Sequence, residues 1–191
     1  MRRSQTIVVA ALAMVLVATS MAAQAPGASK PSGEHDFDYL LGDWAFVATS
    51  KQYGAFNGRW SAVRLATGQL LDEYRIVDDK GGTVYVTATI RNYNSKSGKW
   101  ELIGMDGSNG LQDFGTGERV GAEIHIEQRF GVVGGKPNTL RIRYYNITPN
   151  SFSWNADQST DGGKTWTKDF QHIEAKRIGP PRAQPPLASS K

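Results

Sequence analysis

No cysteine occurs in the 191 residues. That excludes a disulfide scaffold, thiol catalysis and zinc sites built on thiolates. Long hydrophobic runs are missing too. The longest, Ile7–Ala18, has 12 residues, whereas a membrane-spanning helix needs about 20. Histidine is scarce: His35, His125 and His172 are far apart, with no His-x-His or His-Glu-x-x-His spacing for a metal. There is no Gly-x-Ser-x-Gly nucleophile turn and no phosphate-binding Walker loop. No sustained 3.6-residue period argues for long helices. What is abundant is glycine (21) and aromatic residues (5 Trp, 7 Tyr, 7 Phe), a balance that favours β-structure.

The formal charge of +4 does not make a nucleic-acid binder. All 18 acidic residues lie between Glu34 and Glu174, while Arg2, Arg3, Lys30, Arg182 and Lys191 sit outside residues 34–177. The central segment is therefore slightly acidic, and the basic surplus is terminal. A groove for phosphates needs Lys and Arg gathered on one face.

Met1-Arg2-Arg3, the apolar run and the small residues after it have the layout of a secretory signal peptide, expected over residues 1–22 with cleavage before Ala23. Export to a bacterial periplasm or beyond follows, with no membrane span left after cleavage. Residues 23–34 form a Pro/Gly/Ser/Ala segment expected as a disordered linker, and residues 179–191 a Pro-rich disordered tail. One domain of about residues 35–178 remains, within the usual size of a single fold.

Within that window apolar residues alternate. Val84, Val86, Ala88 and Ile90 share one parity, as do Ile124, Ile126 and Phe130, then Leu140, Ile142 and Tyr144, then Phe152, Trp154 and Ala156, and then Trp166, Phe170 and His172. Further strands are expected at 43–51, 56–65, 69–77, 99–106 and 111–119. Turn signals separate them, including Asp78–Gly82, Asn94–Gly98, Gly134–Asn138, Thr148–Asn150 and Asp161–Gly163. The expected fold is all-β: an antiparallel up-and-down meander barrel of about ten strands, with a two-sheet sandwich as second choice and one short helix over His35–Leu41. Closure removes the exposed edges of so large a twisted sheet.

Asp36-Phe37-Asp38-Tyr39-Leu40-Leu41-Gly42-Asp43-Trp44 opens the domain. It resembles the start of bacterial exported lipocalin-like (calycin-like) families, which carry Gly-x-Trp at the first strand. The resemblance implies an antiparallel barrel, often with a binding cavity. It further implies that Trp44, after Gly42, closes one end, with Arg177 (or Lys176) stacked over it in a cation–π contact worth about 0.5–2 kcal/mol. The chain lacks the later loop motifs and disulfides of true lipocalins, and the glycine-rich opening and heme-site pattern of nitrobindin-like barrels. No cofactor is expected.

Ser159-Thr160-Asp161-Gly162-Gly163-Lys164-Thr165-Trp166 matches the Asp-box hairpin, in which the Asp bonds turn amides, glycine takes positive φ and the Trp packs beneath. One copy reads as structural, through Asp161, Gly163 and Trp166. The oxygens of Gly104–Gly110 fall short of a calcium loop, which needs further ligands, so no metal site is expected. Asp72 and Glu73 point to opposite faces. Arg141 and Arg143 lie opposite the Leu140/Ile142 phase and face solvent if that phase faces inward, paired with acids such as Glu127.

The leading expectation is a non-enzymatic protein holding a small apolar or amphipathic molecule. Its candidate liners are Phe46, Trp60, Tyr74, Val86, Ile126, Tyr144, Phe152 and Trp154, together with His172. One alternative is an isomerase or hydrolase using His172 and a nearby carboxylate. Another is a structural envelope module that acts through an exposed patch.

Overall fold

A computed structural model describes residues 33–132 and 136–181. The expected signal peptide, most of the linker, Gly134 and Gly135 of one expected turn, and the tail from Arg182 lie outside the described residues. Two 3₁₀ turns, Gly33–His35 and Asp38–Leu40, stand where one short helix was expected, and the first takes in the last two residues of the expected linker. Ten strands follow: β1 (Gly42–Ser50), β2 (Gly54–Arg64), β3 (Leu70–Val77), β4 (Thr83–Asn94), β5 (Lys99–Asp106), β6 (Gly110–Val120), β7 (Glu123–Phe130), β8 (Asn138–Tyr145), β9 (Ser151–Ser159) and β10 (Thr167–Gly179). Each pairs antiparallel with its sequence neighbour, and β1 closes on β10 to complete the barrel.

Two-residue alternation builds the interior. Ile124 and Ile126 on β7, Ile142 and Tyr144 on β8, and Phe152, Trp154 and Ala156 on β9 are all buried. Arg129, Arg141 and Arg143 point outward, and the last two face Glu127 and Glu123 at 3.7 Å.

Two strands depart from the expected phase. On β4 the aliphatic parity faces out: Val84 is 63% exposed, Val86 38% and Ile90 41%. Tyr85, Thr87, Thr89 and Arg91 face the lumen instead. The pairing Thr89↔Asp72 and Thr87↔Tyr74 aligns them with the inward side chains of β3, and Arg91 reaches the buried Asp72 carboxylate. Val86 is therefore not a liner. On β10 the register slips between Thr167 and Gln171, where Asp169 takes φ +48°. That bulge sets four residue steps of β10 against two of β9, and Phe170, inside it, turns in out of phase with Gln171, Ile173 and Ala175. Phe170 and Ile173 are both buried, whereas Trp166 and His172, expected inside with Phe170, lie on the outer face.

Candidate functional site

The end of the barrel where β1 begins is sealed. Trp44 is fully buried, its indole donates to the Leu40 carbonyl at 2.8 Å, and the Arg177 guanidinium sits 4.1 Å from its ring. Arg177 also donates to the carbonyls of Leu41 (2.6 Å), Tyr39 (2.7 Å) and Pro149 (2.6 Å), which ties the last strand to the N-terminal turns. Gly42, at φ +104°, leaves that space: a Cβ there would stand 2.6 Å from Arg177 Nη1. Phe37 plugs the same end, edge-on to Trp100 at 5.0 Å and to Tyr144 at 5.6 Å. The indole of Trp100 donates to the Gly33 carbonyl at 3.1 Å.

Above this plug the lumen opens into a cavity of about 620 Å³, reaching Gln52 and Tyr53 in the β1–β2 turn. Its walls differ in chemistry. Strands β2, β3, β9 and β10 contribute Phe56, Trp60, Tyr74, Trp154, Phe170 and Ile173, while β4, β6, β7 and β8 contribute Thr87, Thr89, Gln112, Asp113, Gln128 and Asn138. Such a mainly apolar cavity with a few convergent polar groups is the ordinary form of a small-molecule site.

At its floor lies a buried ion pair. Asp72 and Arg91 have side chains 1% and 3% exposed; Asp72 accepts from Arg91 Nε at 2.5 Å, from Arg91 Nη2 at 3.2 Å and from the Trp60 indole at 2.7 Å. Burial works against the Arg91 charge, but the Asp72 carboxylate more than offsets it and holds the guanidinium above its ordinary value. Arg91 Nη2 also reaches the Tyr144 hydroxyl at 3.3 Å, and burial pushes that phenol up.

Higher on the polar wall, Asp113 is 1% exposed and accepts a hydrogen bond from Gln128 Nε2. It occupies space that Gly104 leaves free, since a Cβ at Gly104 would lie 2.1 Å from its Oδ2. Burial raises the Asp113 carboxyl above the usual carboxylate range, offset in part by the Gln128 bond and by Arg91.

Among the described residues, four buried side-chain polar atoms lack a hydrogen-bond partner, and three belong to cavity residues: Arg91 Nη1, Asn138 Oδ1 and the Tyr74 hydroxyl. The last lies beside the Gln171 amide without a well-formed bond.

Of the residues singled out from sequence, Trp60, Tyr74, Tyr144 and Trp154 meet at the cavity. Phe46, Ile126 and Phe152 belong to the packed interior, where Phe46 stacks on Tyr74 at 5.0 Å and Phe152 meets Trp60 at 5.7 Å. His172 is apart from them: its Nε2 lies 2.8 Å from Glu174 and its Nδ1 3.4 Å from the Tyr145 hydroxyl, on the outside of the barrel. Asp161 organises its hairpin, accepting from the Lys164 and Thr165 amides at 3.0 Å each, and the Trp166 ring lies 4.0 Å under Arg141. Gly163 donates its amide to Ser159 Oγ at 2.8 Å.

The polar residues Asp72, Arg91 and Asp113 were missed. For Asp72 the signal was present, since Leu70, Asp72, Tyr74 and Ile76 share one parity and an inward Tyr74 implies an inward Asp72.

No protein-family model matches the chain, and no curated protein matches it. Solved structures share the barrel. The protein Rv2717c from M. tuberculosis aligns with a TM-score of 0.58 at 16% identity, covering 78% of this chain and 98% of that one. The S-type phycobiliprotein lyase CPES from Guillardia theta aligns with a TM-score of 0.50 at 12% identity, covering 80% and 94% respectively. At these identities the likeness is one of fold.

Proposed function

We propose that this chain is an exported binding protein whose barrel lumen holds one small amphipathic molecule. The observation that carries the reading is the cavity of about 620 Å³, richer in aromatic rings on the side of β2, β3, β9 and β10 and in amides and hydroxyls on the side of β4 and β6–β8. Burying an apolar body against Trp60, Tyr74 and Trp154 contributes roughly 25 cal/mol per Å² removed from water. A polar group on the same ligand has an unpartnered atom to meet at the floor in Arg91 Nη1 and others on the walls in Asn138 Oδ1 and the Tyr74 hydroxyl, and each one satisfied avoids a penalty of about 1–3 kcal/mol. Export rests on the N-terminal sequence alone.

His172 faces outward beside Glu174, so the lumen is not built around the histidine that the enzyme alternative relied on. Adjacent β4 residues give the test. Thr87→Phe fills the lumen from the inner face, whereas Val86→Phe adds the same ring outside. Titration of the tryptophan fluorescence with naphthylmethanol should saturate for the wild type and for Val86→Phe, and weaken about tenfold or more for Thr87→Phe. Equal binding by both variants, or none by the wild type, refutes lumen binding.

A further inference from the structure

The cavity wall carries two carboxylates but one guanidinium. Asp72 and Arg91 satisfy each other, with Trp60 as a third partner. Asp113 is left with an amide donor, Gln128, and no ion pair among the described residues. The groups that face it are Asp72 on β3, Arg91 and Tyr85 on β4, Gly104 on β5, and Gln128 and Phe130 on β7. With Asp113 ionised, the lumen therefore carries one net negative charge in a space lined largely by apolar and aromatic side chains. A buried carboxylate in that position lacks the cation that would stabilise it.

We propose that Asp113 receives the ammonium group of a cationic amphipathic ligand, so that the lumen selects amines over neutral or anionic compounds with the same apolar body. This rests on the lumen-binding reading above and adds the charge of the ligand to it. The ammonium sits at the Asp113 carboxylate, on a stretch of cavity wall that also carries its cross-strand partner Phe130 and Tyr85. The apolar body extends to Trp60 and Trp154 on the opposite wall. Because burial keeps Asp113 protonated to higher pH than a free carboxyl, amine binding expels a proton and strengthens as pH rises through that range.

Three probes with one ring system separate the terms: naphthylmethylamine, naphthylmethanol and naphthoate, each titrated into the full-length mature protein by calorimetry. The expected result is an amine affinity about tenfold or more above that of the alcohol at about pH 8, with naphthoate weakest. The preference should shrink as pH falls, which tests the assignment in the unaltered protein. Asp113→Asn should retain alcohol binding and abolish the preference. An amine that binds no better than the alcohol, or a preference unchanged by pH or by Asp113→Asn, overturns the assignment while leaving lumen binding standing. Failure of all three probes overturns both.

Discussion

Asp72 and Arg91 show how a charge pair can belong to the interior of a barrel. Neither side chain meets bulk water, and the Trp60 indole and Tyr144 hydroxyl occupy further hydrogen-bonding positions around them. The desolvation cost of such a pair is large and its net contribution small, but removing one partner strands the other. Asp72→Asn should therefore cost about 3–5 kcal/mol in urea unfolding, and Arg91→Met added to it should recover part of that loss. Losses that simply add would mean the two side chains act independently. Asp113 behaves differently because it lacks a cation. Its folded-state carboxyl is raised by burial, so the native protein retains a proton that the unfolded chain releases. Stability from this source falls as pH rises from the unfolded value of about 3.9 through the folded one. Melting temperatures of Asp113→Asn and wild type should diverge in favour of the variant across that window and run parallel on either side. A constant gap at every pH would show that Asp113 does not titrate differently on folding.

At the scale of the element, the Asp161 hairpin is a local device that closes β9 onto β10. Bonds from the Thr165 hydroxyl and amide, with Ser159, lower its carboxyl to about 2, although it is fully exposed. A depressed carboxylate contributes stability above the unfolded value of about 3.9 and loses it as pH falls towards 2. Asp161→Ala should lower the melting temperature at neutral pH, and the difference should close in acid; a gap that persists unchanged would assign the effect to packing instead. Strands with one greasy face were legible: the segment Ser151–Ser159 reads directly as β9, with Phe152, Trp154 and Ala156 inside. β4 was not, because its inner face lines a polar wall, so hydrophobicity selects the wrong side. The β10 bulge was also hidden: Asp tolerates the positive φ that Asp169 takes, but a lone Asp within a strand-like run does not mark a bulge. The bulge turns Phe170 inward, so a phase read from Phe170 puts His172 in the lumen, whereas the regular inward phase of β10 runs through Gln171, Ile173 and Ala175 and leaves His172 at the surface. The polar site groups were lost for the same reason, as residues expected on a solvated face proved to line a cavity.

The described residues form a barrel sealed at one end by Phe37, Trp44 and Arg177 and hollow above. The outside of β4–β6 is unusually apolar: Ile90 pairs across from Ile103, and Ile103 from Phe114, all at least 41% exposed. Inside and outside should respond differently to truncation. Ile142→Ala, in the packed interior, should cost about 2–5 kcal/mol, and Ile103→Ala, on the outer sheet, within about 0.5 kcal/mol. Equal losses in denaturant unfolding would contradict the assignment of the two faces. Ligand binding inside this barrel requires an open lumen with chemically distinct walls. A crystal structure of the protein soaked with naphthylmethanol tests it most directly. The account predicts ring density inside the barrel against Trp60 and Trp154, with the hydroxyl turned toward Asn138 or Arg91. A lumen filled by its own side chains, or a probe bound only to the outer face of β4–β6, would contradict it.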